Sequence, residues 1–280
     1  MSGSTWLVNG EAVANATELD RGLQFGDGLF ETMLARGGEV PWLDRHMERL
    51  AKACEVLDIP CPERARIESD LTRLDLPEGP AVVKLMVTAG PGGRGYARPG
   101  QVRPTRHLAV FPFPERPERL SLVWCRQRLA LQPALAGLKH LNRLEQVLAR
   151  REVDAMGADE GLMRDTMDRV VEAVAANLFV VRSGRLETPS LEQCGVAGLM
   201  REAVLETARN LGIDAQITDI SAEDILSADE VFLTNSLMGI RPVKELKDTT
   251  GSLPSVEWDR EAGLVTRELQ QASCWPLGEY

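Results

Sequence analysis

The hydrophobic pattern of the 280-residue chain changes period several times, and each change marks an element. Trp6-Leu7-Val8 and Glu11-Ala12-Val13 flank the turn pair Asn9-Gly10, which predicts a short hairpin. A glycine-punctuated loop follows from Asp20 to Gly28. The run from Leu29 to Ala35 then predicts a strand, returning through Gly37-Gly38 to Val40-Pro41-Trp42-Leu43. From Asp44 the period becomes helical, with Met47, Leu50, Ala51, Cys54 and Leu57 on one stripe. A second helix is predicted over about 62–74, a largely buried strand over 81–87 and its neighbour over 108–111.

Pro112, Pro114 and Pro117 interrupt this pattern, because proline removes backbone donors and fixes φ. Residues 114–118 are therefore read as a linker between a small N-terminal α/β domain (1–113) and a larger C-terminal one (119–280). The second lobe is predicted to hold strands at Leu120 to Cys125, 160–164, 169–174 and 178–182, with a helix near 140–155. A helix over about 198–211 closes at Gly212, and Ser221-Ala222-Glu223-Asp224 reads as a capping box. Glu230 to Thr234 is a strand and Val256 to Ala272 a final helix. The class is mixed α/β in two lobes.

Charge narrows the chemistry. With 32 basic and 42 acidic residues the net charge is −10 and the pI near 5.0. Nothing on average draws such a chain to nucleic acid or to an anionic membrane. Five scattered cysteines without a C-x-x-C are poor material for a disulfide framework or a structural zinc site, and no metal is expected. The N-terminus lacks a basic stretch followed by an apolar core, and no apolar run reaches the roughly 20 residues of a membrane span. A cytoplasmic, reduced protein is the expectation.

Gly90-Pro91-Gly92-Gly93-Arg94-Gly95 satisfies G-x-G-x-x-G after a strand, but Tyr96-Ala97-Arg98-Pro99-Gly100 cannot open the helix a dinucleotide site needs. What it contributes is Arg94, a guanidinium on a loop read as flexible. P-loop, H-E-x-x-H and G-x-S-x-G signatures are absent from the sequence, and His46, His107 and His140 are the only histidines. His46 falls in the surface pattern of its helix and is read as structural. Nucleophilic chemistry by an amine remains, and there are five lysines. Lys52 reads as a solvated partner of Glu48, and Lys244 and Lys247 sit in a charged stretch. Lys84 interrupts an apolar strand and Lys139 follows Ala134-Leu135-Ala136-Gly137-Leu138, so apolar neighbours could favour a neutral amine at either. Physical grounds leave those two level.

Leu23-Gln24-Phe25-Gly26-Asp27-Gly28-Leu29-Phe30-Glu31-Thr32, followed by His46-Met47-Glu48-Arg49-Leu50, resembles the fold-type IV pyridoxal-phosphate enzymes, which include branched-chain and D-amino-acid aminotransferases. Gly93-Arg94-Gly95-Tyr96, Lys139 to Gln146 and Ala175-Ala176-Asn177-Leu178-Phe179 are similar to the aminodeoxychorismate lyase branch. The resemblance runs in order from about residue 7 to 245. It implies a C-terminal domain with a barrel-like sheet, a homodimer and the cofactor pyridoxal 5'-phosphate. Lys139 would be joined to the cofactor through its amine and would later move a proton. Glu172 would pair with the pyridine nitrogen, and Arg49 would bind the phosphate together with the helix start at Leu199 and Met200 and the polar residues Asn235 and Ser236. Arg94, Phe25 and Tyr96 would meet the substrate, with Phe25 standing where several relatives carry tyrosine. The implied activity is cleavage of 4-amino-4-deoxychorismate to 4-aminobenzoate and pyruvate. An aminotransferase using the same Lys139, Glu172 and Arg49 is the alternative enzyme, and a cofactor-binding regulatory protein the non-enzymatic one.

Overall fold

The computed structural model describes residues 6–12, 20–115, 117–248, 251, 253–258 and 263–277. It divides into two compact units, one of Met1–Glu115 with Lys139–Asn142, the other of Arg116–Leu138 with Arg143–Tyr280. The proline-rich stretch runs through the division at 115/116; its Arg116 lies outside the described residues. Residues 139–142, assigned by the pattern to the second lobe, group with the first.

The first unit contains β1 (Trp6–Val8), β2 (Glu11–Ala12), α1 (Arg21–Phe25), β3 (Gly28–Ala35), α2 (Leu43–Val56), α3 (Arg64–Leu71), β4 (Ala81–Thr88) and β5 (Thr105–Pro112). Its antiparallel sheet has the order β2-β1-β5-β4-β3. Along β3 the pleat sends Leu29, Glu31 and Met33 to one face, where all three are buried, and Phe30 and Thr32, half-buried, to the other. α2 covers the first face with Met47, Leu50, Ala53 and Cys54, and burying a side chain such as Leu50 contributes about 1.5–3 kcal/mol.

Two local expectations give way here. The segment read as a loop contains α1, because Asp20 caps it by accepting from the Gly22 N–H at 2.7 Å and Gly26 closes it at φ 64°. The expected second hairpin stops at an isolated Arg36–Glu39 bridge, and α2 starts at Leu43. β3 pairs instead with β4 over eight residues. Val82, Val83, Leu85 and Val87 offer it more apolar surface than a strand containing Pro41, which has no ladder donor.

The second unit contains β6 (Leu120–Leu129), α4 (Leu144–Met156), β7 (Glu160–Asp165), β8 (Val170–Ala173), β9 (Asn177–Arg182), β10 (Arg185–Pro189), α5 (Leu199–Leu211), β11 (Ala215–Thr218), α6 (Ala222–Leu226), β12 (Glu230–Asn235), β13 (Gly239–Lys247), β14 (Val256–Glu257) and α7 (Leu264–Ala272). Strands β9, β12, β13, β6, β7 and β8 follow one another, and pairing of Glu172 with Asn177 joins β8 back to β9, closing a six-stranded barrel. Alternation on β6 builds two cores: Leu122 and Trp124 join Leu162, Leu178, Val180 and Leu233, whereas Val123 and Cys125 meet Ala149 and Val153 of α4.

The helix expected near 140–155 begins only at Leu144, and the final helix only at Leu264, since Val256–Glu257 pairs with β13 as β14. Residues 259–262 of that expectation lie outside the described ones. The pattern missed β10, β11 and β13. β13 was hidden by Arg241, Lys244, Glu245 and Lys247, although its Pro242, Val243 and Leu246 are buried.

Candidate active site

In the first unit Lys139 lies beside the start of β3. The Phe30 N–H donates to the Lys139 carbonyl at 2.9 Å, and the Leu141 N–H donates to the Gly28 carbonyl at 2.9 Å. The Lys139 side chain is half-buried, with Nζ 4.2 Å from the centroid of the Phe30 ring. Lys84 Nζ stands 5.2 Å from the same ring. The two lysines that physical reasoning singled out therefore converge on one aromatic side chain. They differ in backbone setting: Lys84 is locked in the β3–β4–β5 ladder, Lys139 in an irregular stretch.

On the other face of β3, Glu31 is buried and holds two cation-forming groups of α2. Arg49 Nε donates to Glu31 Oε1 at 2.9 Å, and its Nη2 pairs closely with Oε2. His46 Nδ1 lies 2.7 Å from Oε2. The i,i+3 spacing of His46 and Arg49 puts both on the side of α2 that faces the carboxylate. Burial alone would raise the Glu31 carboxyl, but the Arg49 charge and the bonds from His46 and Arg49 lower it to about 2. Burial pushes His46 below its usual range despite Glu31, so the imidazole is neutral and donates a hydrogen bond from Nδ1–H to that carboxylate. His46 is thus a buried network member, correcting the surface reading: helical spacing marks a polar face, but a buried carboxylate opposite makes that face internal.

Of the residues expected at the substrate, Phe25 and Tyr96 meet, with ring centroids 5.4 Å apart and planes at 59°. Arg94 is exposed at the tip of its loop, between Gly93 and Gly95, whose surroundings are open. The loop is not loose at its base, where Arg21 holds the carbonyls of Gly95, Tyr96 and Ala97.

In the second unit Glu172 is buried on β8 and accepts from the Val196 N–H at 2.8 Å. The Val196 carbonyl in turn accepts from Asn177 Nδ2 at 2.8 Å. This fixes the 195–198 turn that leads into α5. The turn demands small residues: a Cβ on Gly198 would run into Asn177 Oδ1, and Gly195 has φ 91° with Glu172 alongside. No side chain caps α5 at Gly198, and Leu199 and Met200 send their side chains into the core. Their N–H groups, at the positive end of a 13-residue helix, suit a phosphate. Asn235 uses its side chain to build the turn after β12, donating to the Ala175 carbonyl at 3.0 Å and accepting from the Leu237 and Met238 N–H groups at 2.9 Å. The Ser236 carbonyl accepts from Trp275 Nε1 at 3.2 Å.

Sequence reasoning gave no role to Glu31, Asn177 or Thr234. Glu31 and Asn177 stand within the quoted motifs, as polar residues beside apolar strand positions. Thr234 is fully buried, its hydroxyl without a hydrogen-bond partner among the described residues, and it faces Asn177 in register. Burial pushes the thiols of Cys54, Cys125 and Cys194 up to about 12, which argues against a thiolate nucleophile at those three. Among the described residues no helix is long and apolar enough to cross a membrane.

The first unit thus presents a half-buried amine and an arginine fixed by a carboxylate, and the second an uncapped helix start and a buried carboxylate. The chain belongs to the family described as amino-transferase class IV, whose model matches residues 28–246. It is similar to 4-amino-4-deoxychorismate lyase from Pseudomonas aeruginosa, with 46% identity, 95% of this chain and 97% of that one covered, and a TM-score of 0.86. Aminodeoxychorismate lyase of Vibrio harveyi is 36% identical over 94% of this chain and 97% of its own. A putative branched-chain-amino-acid aminotransferase of Methanocaldococcus jannaschii is 30% identical over 94% and 93% respectively. Enzymes of this family use pyridoxal phosphate.

Proposed function

We propose that this enzyme is a pyridoxal-phosphate-dependent lyase that converts 4-amino-4-deoxychorismate to 4-aminobenzoate and pyruvate, acting as a cytoplasmic homodimer. The observation that carries the reading is the full-length likeness to two aminodeoxychorismate lyases, one at 46% identity, in a chain that presents Lys139.

The residues fit the cofactor. Buried Thr234 Oγ1, without a hydrogen-bond partner among the described residues and paired in register with Asn177, and a helix start that a single added Cβ would crowd, suit a phosphate. Arg49 of the first unit, its guanidinium fixed by Glu31, is a charge-assisted donor suited to a phosphate. Glu172 is a buried carboxylate suited to keep a proton on the pyridine nitrogen. When bound, pyridoxal phosphate supplies a sink for the electrons left as a C–H bond breaks. Lys139 Nζ removes the proton from the amine-bearing carbon of the substrate, and the enolpyruvyl oxygen departs from the adjacent carbon. Aromatisation of the ring drives the step. Phe25 and Tyr96 form an aromatic wall for the cyclic substrate, and Arg94 binds one of its carboxylates.

An aminotransferase is the second reading, favoured by the 30% identity to the Methanocaldococcus jannaschii protein. A product assay separates the two. Stoichiometric 4-aminobenzoate and pyruvate from 4-amino-4-deoxychorismate is the expected result. Amino-group exchange between an amino acid and a 2-keto acid, without 4-aminobenzoate, would establish the transferase instead.

A further inference from the structure

We propose that Asp27 is a positioning residue for the substrate: together with Arg21 and Arg98 it clasps the 90–98 loop to α1, so that Phe25 and Tyr96 act as one fixed wall. The inference rests on the reading that this wall meets the substrate. Its own evidence is a concentrated polar lock in a loop that glycine content alone marks as mobile.

Arg21 is 3% exposed and sits at the centre. Its Nε donates to Asp27 Oδ2 at 2.8 Å, Nη1 donates to the Gly95 and Ala97 carbonyls at 3.0 and 3.2 Å, and Nη2 donates to the Tyr96 carbonyl at 2.7 Å. The same guanidinium lies 4.9 Å from the centroid of the Phe25 ring, which packs on Tyr96. One side chain thereby touches both aromatic residues, one through its ring and the other through its carbonyl. Arg98 closes the lock from the far side of the loop. It grips both oxygens of Asp27, at 3.0 and 2.5 Å, and donates through Nη1 to the Leu57 and Asp58 carbonyls at 2.6 and 2.8 Å. Those carbonyls end α2, where a cation is favoured.

Asp27 is the element that makes two arginines compatible at such close quarters. Without its charge, the two guanidinium groups would repel one another across a largely dry space. Burial opposes the Asp27 carboxylate, yet hydrogen bonds and charge from Arg98 and Arg21 outweigh it and hold the group below its ordinary range. The consequence for the loop is specific. Its base is fixed, Tyr96 is 87% exposed yet tethered through its carbonyl, and Gly93 and Arg94 stand beyond the residues whose carbonyls Arg21 holds. An exposed aromatic held at its backbone, packed on Phe25 and with an exposed cation two residues away, suits a planar, anionic ligand.

The test compares wild type with Asp27→Asn and with Arg98→Lys, which keeps the charge but loses the forked grip. KM and kcat for 4-amino-4-deoxychorismate, pyridoxal phosphate loading, and amide hydrogen exchange of residues 90–100 are measured on the same samples. The clasp predicts that Asp27→Asn raises KM about ten- to a hundredfold, leaves kcat and loading nearly unchanged, and speeds exchange in the loop, with Arg98→Lys between it and wild type. Unchanged KM and exchange would overturn it. So would a matched loss of kcat and loading, which is the signature of general damage. Wild-type protein without lyase turnover sinks the functional reading alone, and the exchange measurement then still decides the clasp.

Discussion

Glu31 and Glu172 are both buried carboxylates, one in each unit, and they differ in what is built around them. Glu31 receives side chains: both oxygens engage Arg49, and one also accepts a hydrogen bond from His46 Nδ1. Glu172 receives a main-chain N–H, from Val196. Arg143 and Arg201, whose acidity burial increases, feel the Glu172 charge, yet donate to the Leu138 carbonyl and to Thr188 and Pro189. A carboxylate gripped by a fixed arginine and an imidazole N–H is a pin for its own unit. On the proposed reading, Glu172 would instead meet the protonated pyridine nitrogen of the cofactor.

Substitutions should separate the two roles. Glutamine at Glu31 leaves Arg49 and His46 facing a neutral amide, and breaking a buried pair in this way costs about 3–5 kcal/mol. Urea unfolding of the apoprotein reads this directly, and a loss below about 1 kcal/mol would show that the pin is not a pin. Acid probes the same charge. The folded Glu31 carboxyl lies near 2 against an ordinary value of 4.5, so its contribution is complete above pH 4.5 and disappears as pH falls toward 2. That contribution is about 3 kcal/mol, and Glu31→Gln should flatten this part of the stability–pH curve.

Glu172→Gln should behave the other way round. The amide oxygen still accepts from Val196, so stability changes by about 1 kcal/mol, while turnover falls about a hundredfold or more. If its stability loss matched that of Glu31→Gln, the contrast would collapse. The smallest expected effect belongs to His46. Its folded-state acidity is raised by burial, so the unfolded chain takes up a proton first, and stability present above pH 6.5 declines as pH drops below it. His46→Asn should remove that early decline and leave the lower, Glu31-dependent one.

The contrast also explains what was legible in the sequence. The two-lobed mixed fold, the helical stripe of α2 and the turn into α5 followed from periodicity, capping and glycine placement, all local signals. Pairing of β3 with β4 instead of with residues 40–43 was not legible, because it was decided by distant apolar strand surface. β13 was hidden because charged residues alternate with its buried ones. At the site, Lys139 and Lys84 could not be ranked by their surroundings, and the structure shows why: both approach the Phe30 ring. Glu31, His46 and the Asp27 clasp were missed for one reason. Each is a buried or half-buried polar group answered from another element, and sequence proximity carries no trace of such an answer.

Those two lysines give the most direct test of the central claim, that Lys139 carries the reaction. Purified protein saturated with pyridoxal phosphate is treated with sodium borohydride, digested and mapped by mass spectrometry. The account predicts the cofactor fixed on the peptide containing Lys139, with the peptide containing Lys84 unmodified. Label on Lys84, or on neither, would contradict it.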